Sequence, residues 1–321
     1  MLHFLVTGGA GFIGSHLVET LVKQGHRVRV LDNFSTGDEA NIREFLNDIE
    51  LIEGDIRDQK TVDQAVSGVD YILHQAALGS VIRSVQDPME SHAVNVNGTL
   101  NLLIAAKEKG VKRFVFASSS SVYGNTPTLP KKENMRPQPI SPYGASKLAA
   151  ECYAISFYVV YKLPVVCLRY FNVFGPRQNA QSQYAAVIPK FIRAFMQNDR
   201  PIIHGDGKQT RDFTYVENVV NANLLACTSS LAPGHVFNIA CGQRHSLLEL
   251  FGHLKTIFQR DVSPMHTDPR PGDVRDSLAA IDLASEILGY RVNISFGEGL
   301  KKTVEAYVQD QSAIPSETAV S

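Results

Sequence analysis

A chain of 321 residues, 44% of them hydrophobic, is long enough to bury a large core and is expected to form two lobes. Its formal net charge of −1 argues against general attraction to nucleic acids or anionic membranes, and no apolar run approaches the length of a membrane span. The four cysteines show no metal-ligand spacing, so we expect no metal site and interpret them as core thiols of a cytoplasmic protein. Met1 leads directly into a predicted strand, which does not fit a signal peptide.

The N-terminal stretch that ends at Asp32 is the most informative part of the chain. Residues 2–7 form a short apolar run typical of a buried strand, and a glycine-rich turn follows over residues 8–14. Residues 15–25 fit a helix with one apolar face, and a second strand over residues 27–31 ends on Asp32. The order of strand, glycine turn, helix, strand and acid predicts a dinucleotide-binding unit.

Three glycines of this turn have distinct physical uses. Gly8 can adopt the backbone angles of a tight turn, Gly11 lets a pyrophosphate approach the main chain, and Gly14 allows close packing of helix and strand. The helix N-terminus adds N–H groups and partial positive charge for the phosphates. Asp32 suits the two hydroxyls of an adenosine ribose and would repel a 2′-phosphate, which favours NAD over NADP. The alternative is a purely structural turn, and the flanking elements argue against it.

Helical and strand patterns keep alternating after Asp32. Helices are predicted over residues 38–47, 58–66 and 88–110, and strands over residues 49–53, 69–73 and 112–117. This alternation predicts an α/β fold with a doubly wound parallel sheet, the Rossmann architecture. Ligands of such sheets bind beyond the carboxyl ends of the strands, where the glycine turn also lies.

The second half of the chain starts with a surface loop over residues 125–142. The next helix is predicted over residues 143–161, with Ser141 as its N-cap, and a strand follows over residues 165–170. The periodicity then weakens, which indicates a smaller mixed lobe, and an apolar strand over residues 236–240 is expected to return to the main sheet. Further helices are predicted over residues 246–258, 282–288 and 297–308.

These patterns predict a division of the chain into three parts. The first is an NAD-binding Rossmann domain of residues 1–172, with a returning segment near residues 213–242. The second is a discontinuous substrate-binding lobe of residues 173–309. The third is a polar tail of residues 310–321 that we expect to be disordered.

Tyr143 and Lys147 form the candidate catalytic pair. A spacing of four residues places both side chains on one face of the predicted helix. A neighbouring ammonium favours the phenolate, so Lys147 is expected to lower the pKa of Tyr143 from its usual value of about 10. The pair could then move a proton to or from a sugar hydroxyl. An ordinary half-buried helix face is the alternative, and the dinucleotide turn upstream argues for the functional reading.

The motifs resemble those of the extended short-chain dehydrogenase/reductases. The resemblance rests on the glycine turn of residues 8–14, on Ser119 and on residues 143–147, and it extends to about residue 308. Within that group the chain resembles the NAD-dependent nucleotide-sugar epimerases, in particular the UDP-glucose and UDP-N-acetylglucosamine 4-epimerases. The resemblance implies that Tyr143 is the base, that Lys147 is its lysine and that Ser119 supplies a catalytic hydroxyl.

One departure helps to choose the reaction. The related sugar-nucleotide 4,6-dehydratases carry Asp-Glu just after the catalytic hydroxyl residue, and decarboxylating relatives keep the glutamate. Here these positions are Ser120 and Ser121, which cannot serve as acid and base for the loss of water. The chemistry that remains is oxidation at C4 to a 4-keto sugar and reduction from the other face, with tightly bound NAD.

The resemblance also implies two sets of contacts. The cofactor-binding residues are expected to be Gly8, Gly11, Phe12, Ile13, Gly14, Asp32, Asn33, Ser35, Gly37, Asp55, Ile56, Gln75, Ala76, Ala77, Asn95, Tyr143, Lys147 and Tyr170. The substrate-binding residues are expected to be Ser80, Ser119, Asn172, Ala186, Val187, His204, Arg211, Arg270, Asp273 and Ser277. The two arginines are assigned to the diphosphate, because a guanidinium fork suits phosphate oxygens.

Ser277 gives the sharpest indication of the substrate. By resemblance it occupies the position whose bulk limits the space beside the C2 substituent of the sugar, and serine leaves room for an N-acetyl group. UDP-GlcNAc and UDP-GalNAc are therefore expected substrates, with UDP-glucose and UDP-galactose beside them. UDP-glucuronate epimerisation, another nucleotide-sugar epimerase or reductase activity, and a non-catalytic NAD-sensing protein remain alternatives. By resemblance the helices over residues 88–109 and 143–161 would pair two subunits in a homodimer.

Overall fold

The computed structural model describes residues 1–179, 186–268 and 275–312. Its strands are β1 (His3–Thr7), β2 (Arg27–Asp32), β3 (Ile49–Glu53), β4 (Tyr71–His74), β5 (Arg113–Ser119), β6 (Val165–Tyr170), β7 (Val173–Phe174), β8 (Ile202–His204), β9 (Thr210–Arg211), β10 (Thr214–Tyr215), β11 (Val236–Ile239), β12 (His245–Ser246) and β13 (Met265–Thr267). Its α-helices are α1 (Phe12–Lys23), α2 (Gln59–Val66), α3 (Val81–Gln86), α4 (Pro88–His92), α5 (Thr99–Glu108), α6 (Pro142–Tyr161), α7 (Val187–Met196), α8 (Val216–Thr228), α9 (Leu247–Phe258) and α10 (Phe296–Ser312).

Within the described residues, seven strands form one parallel sheet in the order β3, β2, β1, β4, β5, β6 and β11. Successive side chains of a strand point to opposite faces, and both faces of this sheet are covered. Val6 packs in a cluster with Leu17 of α1 and Val219 of α8. Leu5 packs in another cluster with Val62 of α2, and α5 and α6 contribute to the same cluster. The fold is therefore the predicted doubly wound Rossmann architecture.

The region between β2 and β3 differs from the prediction. Residues 38–47 do not form an α-helix; they contain two 3₁₀ turns, Glu39–Asn41 and Arg43–Phe45. The turns are separated at Ile42, whose backbone (φ −121°, ψ 2°) leaves the helical region. Ile42 and Phe45 are both buried, and their three-residue spacing brings both side chains to one side of a 3₁₀ segment. The helical periodicity that we read there reflects this spacing.

The predicted helix over residues 88–110 is confirmed as a continuous helical run. It consists of α4, a π-helical segment Ala93–Gly98 and α5. The structure adds α3, which the sequence analysis did not predict. Ser80 caps α3 with its side chain, which accepts a hydrogen bond from the Arg83 N–H (3.2 Å).

The later elements agree with the predicted pattern and extend it. β11 returns to the main sheet beside β6, as expected. Residues 284–288 are π-helical, and α10 runs to Ser312, past the expected start of the tail. The smaller lobe has its own core, which includes Phe174, Phe191 and Phe251. No helix among residues 1–179, 186–268 and 275–312 is both long and apolar enough to cross a membrane.

Candidate active site

A cavity of about 690 Å³ opens at the carboxyl ends of the central strands. This is the position at which parallel α/β sheets bind their ligands. The predicted site residues that line it are Gly8, Gly11, Phe12, Ile13, Gly14, Asp32, Asn33, Ser35, Gly37, Asp55, Ile56, Gln75, Ala76, Ala77, Ser119, Tyr143, Lys147, Tyr170, Asn172 and Ala186. The fold thus brings together residues that lie far apart in the sequence.

The glycine turn has no room for side chains. Gly8 has φ +69°, a left-handed conformation, and a Cβ on it would lie 2.7 Å from the Ala76 nitrogen. A Cβ on Gly14 would lie only 2.0 Å from the Gly8 carbonyl oxygen. The main chain therefore approaches itself closely and leaves the N-terminus of α1 open toward the cavity, which fits the pyrophosphate of a dinucleotide.

Asp32 ends β2 and is 6% exposed. Its carboxylate accepts hydrogen bonds from the Ala10 N–H (2.9 Å) and the Phe34 N–H (2.9 Å), which orient it at the cavity wall. Burial raises the pKa of Asp32, while these N–H donors oppose the rise. The oriented carboxylate fits the hydroxyls of a ribose and carries the charge that would repel a 2′-phosphate.

Tyr143 and Ser119, the predicted catalytic residues, both line the cavity. The Ser119 hydroxyl forms a hydrogen bond with the Tyr143 phenol, and it also accepts one from the Ser121 N–H (3.1 Å). Burial raises the pKa of Tyr143 above its usual value, and the bond to Ser119 opposes this rise. The expected net lowering of the Tyr143 pKa is therefore wrong for the protein's own groups, because burial outweighs the stabilisation of the phenolate.

Lys147 lies on the same face of α6 and is 4% exposed. Its ammonium donates a hydrogen bond to the Ala117 carbonyl at the end of β5 (2.9 Å) and lies over the Phe116 ring. Burial lowers the pKa of Lys147 to about 7, because the charged form has lost its hydration. Lys147 lines the cavity with Tyr143, but it is the Ser119 hydroxyl, and not Lys147, that opposes the rise of the Tyr143 pKa.

The main chain of Tyr143 is fixed from two sides. Its N–H donates to the hydroxyl of Ser84 in α3 (3.0 Å), and its carbonyl accepts from the Ser146 hydroxyl (2.8 Å). Asn95 donates in turn to Ser146 (3.0 Å) and also bonds both main-chain groups of Leu78. Asn95 therefore lies behind the described cavity wall and positions Leu78, so its predicted direct contact with the cofactor stays a prediction.

A second buried network lies beneath the cavity floor. The Tyr170 hydroxyl accepts from the Asn223 side chain (2.8 Å) and contacts the Gln75 side-chain oxygen (3.2 Å). Both Gln75 and Tyr170 line the cavity, whereas Asn223 anchors them to α8. Gln75 and Tyr170 were assigned to the cofactor by resemblance, and both lie at the cavity wall with hydrogen-bonded side chains.

The substrate residues are less well grouped. Asn172 lines the cavity and donates to the Ser277 hydroxyl (3.3 Å), so Ser277 stands directly behind it. Among the described residues that line the cavity, five predicted substrate contacts do not appear: Ser80, Val187, His204, Arg211 and Ser277. Arg270 and Asp273 lie outside the described residues. The predicted direct contacts of these seven residues therefore remain predictions.

Two features of the site escaped the sequence analysis. His74, at the end of β4, is 1% exposed and lies between the hydroxyls of Thr7 (2.7 Å) and Thr99 (2.9 Å). Burial, with a smaller contribution from the charge of Lys147, lowers the pKa of His74 to about 3, so the ring is neutral. Arg57 lines the cavity and pairs with Asp55 (2.7 Å). The partners of His74 come from β1 and α5, far away in the sequence, whereas Arg57 pairs with Asp55 inside the loop that follows β3 and with Glu90 of α4.

The model of the family described as NAD dependent epimerase/dehydratase matches residues 4–240. The chain belongs to this family. NAD is therefore its cofactor, and the glycine turn, Asp32 and the cavity supply a matching site. The family and the cofactor that were predicted from the sequence are therefore both confirmed.

Individual relatives of this epimerase/dehydratase family member differ in the reaction they are named for. The UDP-glucose 4-epimerase of Mycolicibacterium smegmatis is 38% identical, with 94% of this chain and 97% of the relative covered. The dTDP-D-glucose 4,6-dehydratase of Mus musculus is 36% identical, with 94% of this chain and 88% of the relative covered. The solved structure of the UDP-N-acetylglucosamine 4-epimerase from Methanobrevibacter ruminantium M1, in complex with UDP-N-acetylmuramic acid, has a TM-score of 0.92 and 39% identity, covering 96% of this chain and 99% of that one. Identity alone therefore does not select the reaction.

Replacing Asp32 by asparagine should weaken the preference for NAD over NADP by at least about tenfold. The amide keeps one acceptor oxygen for the N–H groups of Ala10 and Phe34, loses one of these two hydrogen bonds, and removes the charge that repels a 2′-phosphate. Titration of the NAD-free variant with each cofactor, followed by calorimetry, measures the ratio. Glu39→Gln, on the exposed turn after β2, removes an equal charge and should leave the ratio unchanged. An unchanged ratio in Asp32→Asn would contradict the assignment.

Proposed function

We propose that this protein is a UDP-hexose 4-epimerase that interconverts UDP-GlcNAc with UDP-GalNAc, and UDP-glucose with UDP-galactose, through a 4-keto intermediate. The proposal is carried by the side chains at the end of β5. Ser119 shares the cavity with Tyr143, and the two positions that follow are Ser120 and Ser121, which also line the cavity. Because serine hydroxyls cannot replace the carboxyl groups that loss of water requires, epimerisation is favoured over dehydration.

The protein's own groups have defined roles in this proposal. Tyr143 takes the proton from the 4-hydroxyl of the sugar, directly or through Ser119. It returns the proton after the 4-keto sugar has rotated in the site and presents its opposite face. When bound, NAD supplies the hydride acceptor and later donor, together with a positive charge that favours the phenolate. The Lys147 ammonium adds a second positive charge, held in place by the Ala117 carbonyl.

The test is incubation of the purified protein with UDP-GlcNAc, UDP-glucose and UDP-glucuronate in separate reactions without added reductant. NMR spectra should show the C4 epimers of the first two at constant total sugar nucleotide. Turnover of UDP-glucuronate alone would replace the substrate assignment, and a 6-deoxy-4-keto product would identify a dehydratase. Absence of turnover in a protein that retains NAD would favour a non-catalytic NAD-binding protein.

Ser277→Tyr should abolish turnover of the N-acetylated pair and leave turnover of the plain hexoses within a few fold. The serine hydroxyl lies 3.3 Å from the amide nitrogen of Asn172, which lines the cavity, so the bulk of a tyrosine would crowd Asn172 and the cavity wall beside it. Steady-state kinetics with both UDP-GlcNAc and UDP-glucose check the result. Ser277→Ala, which adds no bulk, is the control and should keep both activities; equal activity of Ser277→Tyr on both pairs would rule out the steric explanation.

We also propose that the protein forms a homodimer and that it is located in the cytoplasm. Support for the dimer comes from apolar side chains that α6 exposes, including Val159 and Val160, which are 57% and 64% exposed. Exposed apolar side chains on a helix that the resemblance assigns to subunit pairing fit an interface between chains.

A further inference from the structure

Asp212 is a buried carboxylate that the proposed reaction does not use. It lies between β9 and β10 and is 0% exposed. A carboxylate removed from water needs hydrogen-bond donors or an opposite charge, since its burial is otherwise very unfavourable. The partners of Asp212 therefore indicate its role.

The carboxylate joins two segments that are distant in the sequence. One oxygen accepts from the Cys241 N–H (2.9 Å), and the other accepts from the N–H groups of Gly242 (3.1 Å) and Ala279 (3.1 Å). Burial raises the pKa of Asp212 to about 6, and these main-chain donors oppose the rise. The group is therefore mainly ionised above neutral pH and ties the end of β11 to the chain that follows Arg275.

The main chain of Asp212 contacts the cavity wall as well. Its carbonyl accepts from the side-chain amide of Asn172 (3.1 Å), and the same amide donates to the Ser277 hydroxyl (3.3 Å). Asn172 has φ +36°, an uncommon conformation for a residue other than glycine, so its position depends on such contacts. Asp212 thus fixes Asn172 through its carbonyl and the chain beside Ser277 through its carboxylate.

The same segment is held at its other end by Thr210. The Thr210 N–H donates to the Arg275 carbonyl (3.0 Å), and the Ser277 N–H donates to the Thr210 carbonyl (3.1 Å). The Thr210 hydroxyl also donates to the Asp276 carboxylate (2.6 Å). Residues 275–279 are therefore held by Thr210 and by Asp212, and they are also bonded by the Arg211 side chain at Arg275 and by the Lys131 main chain at Leu278.

We infer that Asp212 is a positioning residue for the sugar side of the site. By fixing Ala279 and Asn172 it sets how far Ser277 stands from the bound sugar, and so it contributes to the choice between N-acetylated and plain UDP-hexoses. This inference rests on the function proposed above. Asp212 acts through Ser277 and Asn172.

The test compares wild type and Asp212→Asn, each with its bound NAD. An amide has one acceptor oxygen, and its NH₂ group would face main-chain donors, so at least one bond is lost. The KM for UDP-GlcNAc should rise roughly tenfold, and the ratio of kcat/KM for UDP-GlcNAc to that for UDP-glucose should change by at least about threefold. The NAD content should not change, because Asp212 is not among the described residues that line the cavity.

Thr210→Val provides a milder variant, which carries the test if Asp212→Asn does not fold. It removes the bond to Asp276 and should shift the same ratio in the same direction by a smaller factor. A purely structural role would lower the Tm while KM and the ratio stay constant, and this result would overturn the inference.

If wild type turns over neither sugar, calorimetry measures the binding of UDP-GlcNAc in place of KM. Weaker binding by Asp212→Asn than by wild type supports the inference, and equal binding overturns it. No binding by wild type overturns the proposed function as well.

Discussion

Replacing Tyr143 by phenylalanine should lower kcat for UDP-GlcNAc about a thousandfold, because the substitution removes the group that moves the proton. The ring and its packing are retained, and the main chain stays bonded to Ser84 and Ser146, so the fold and the cavity should persist. The NAD content of the purified variant should equal that of wild type. NMR of long incubations measures the residual rate, and absorbance of cofactor released by denaturation measures the NAD content.

Tyr153→Phe is the matched control for this prediction. Tyr153 lies on the same helix and is 42% exposed, and it is not among the described residues that line the cavity. It should retain wild-type kcat. If Tyr143→Phe kept more than about a tenth of wild-type activity, general acid–base catalysis by the phenol would be excluded, since such catalysis contributes at least about a hundredfold.

The dinucleotide half of the site could be predicted because its signals are local. The turn from Gly8 to Gly14 lies within one strand–turn–helix unit, and Asp32 ends the next strand. Tyr143 and Lys147 share one helix face through their four-residue spacing. In each case the geometry follows from secondary structure alone, and the structure places all of these residues at one cavity.

The sugar half depends on contacts between remote segments, which no spacing reveals. Asn172 meets Ser277 across 105 positions of sequence, and Asp212 meets Ala279 across 67. The direction of the Tyr143 pKa shift could not be predicted from the sequence either. It depends on the balance between burial, which raises the pKa, and hydrogen bonding, which lowers it, and both are known only from the packed structure. The helix predicted over residues 38–47 was wrong because buried residues at three-residue spacing also occur in 3₁₀ turns.

Lys147→Met should lower kcat roughly a hundredfold or more and should also change how stability depends on pH. The folded pKa of Lys147 is lowered to about 7, below its ordinary value of 10.5. Between these values the unfolded chain binds a proton that the folded chain lacks, so the wild-type free energy of unfolding gains from rising pH. The variant loses this gain. Urea unfolding of NAD-free protein at pH 6 and pH 9 should show a smaller rise for the variant than for wild type.

Lys131→Met is the matched control, because Lys131 is also a buried lysine whose pKa is lowered by burial. Its ammonium donates to the Thr126 carbonyl, and Lys131 is not among the described residues that line the cavity. Its replacement should alter stability and leave kcat within a few fold. Burial of a lysine therefore does not by itself predict catalysis; the position of Lys147 one helical turn from Tyr143 does. If both methionine variants reduced kcat equally, the loss would have to be assigned to the fold, and the ammonium of Lys147 would have no specific part in the reaction.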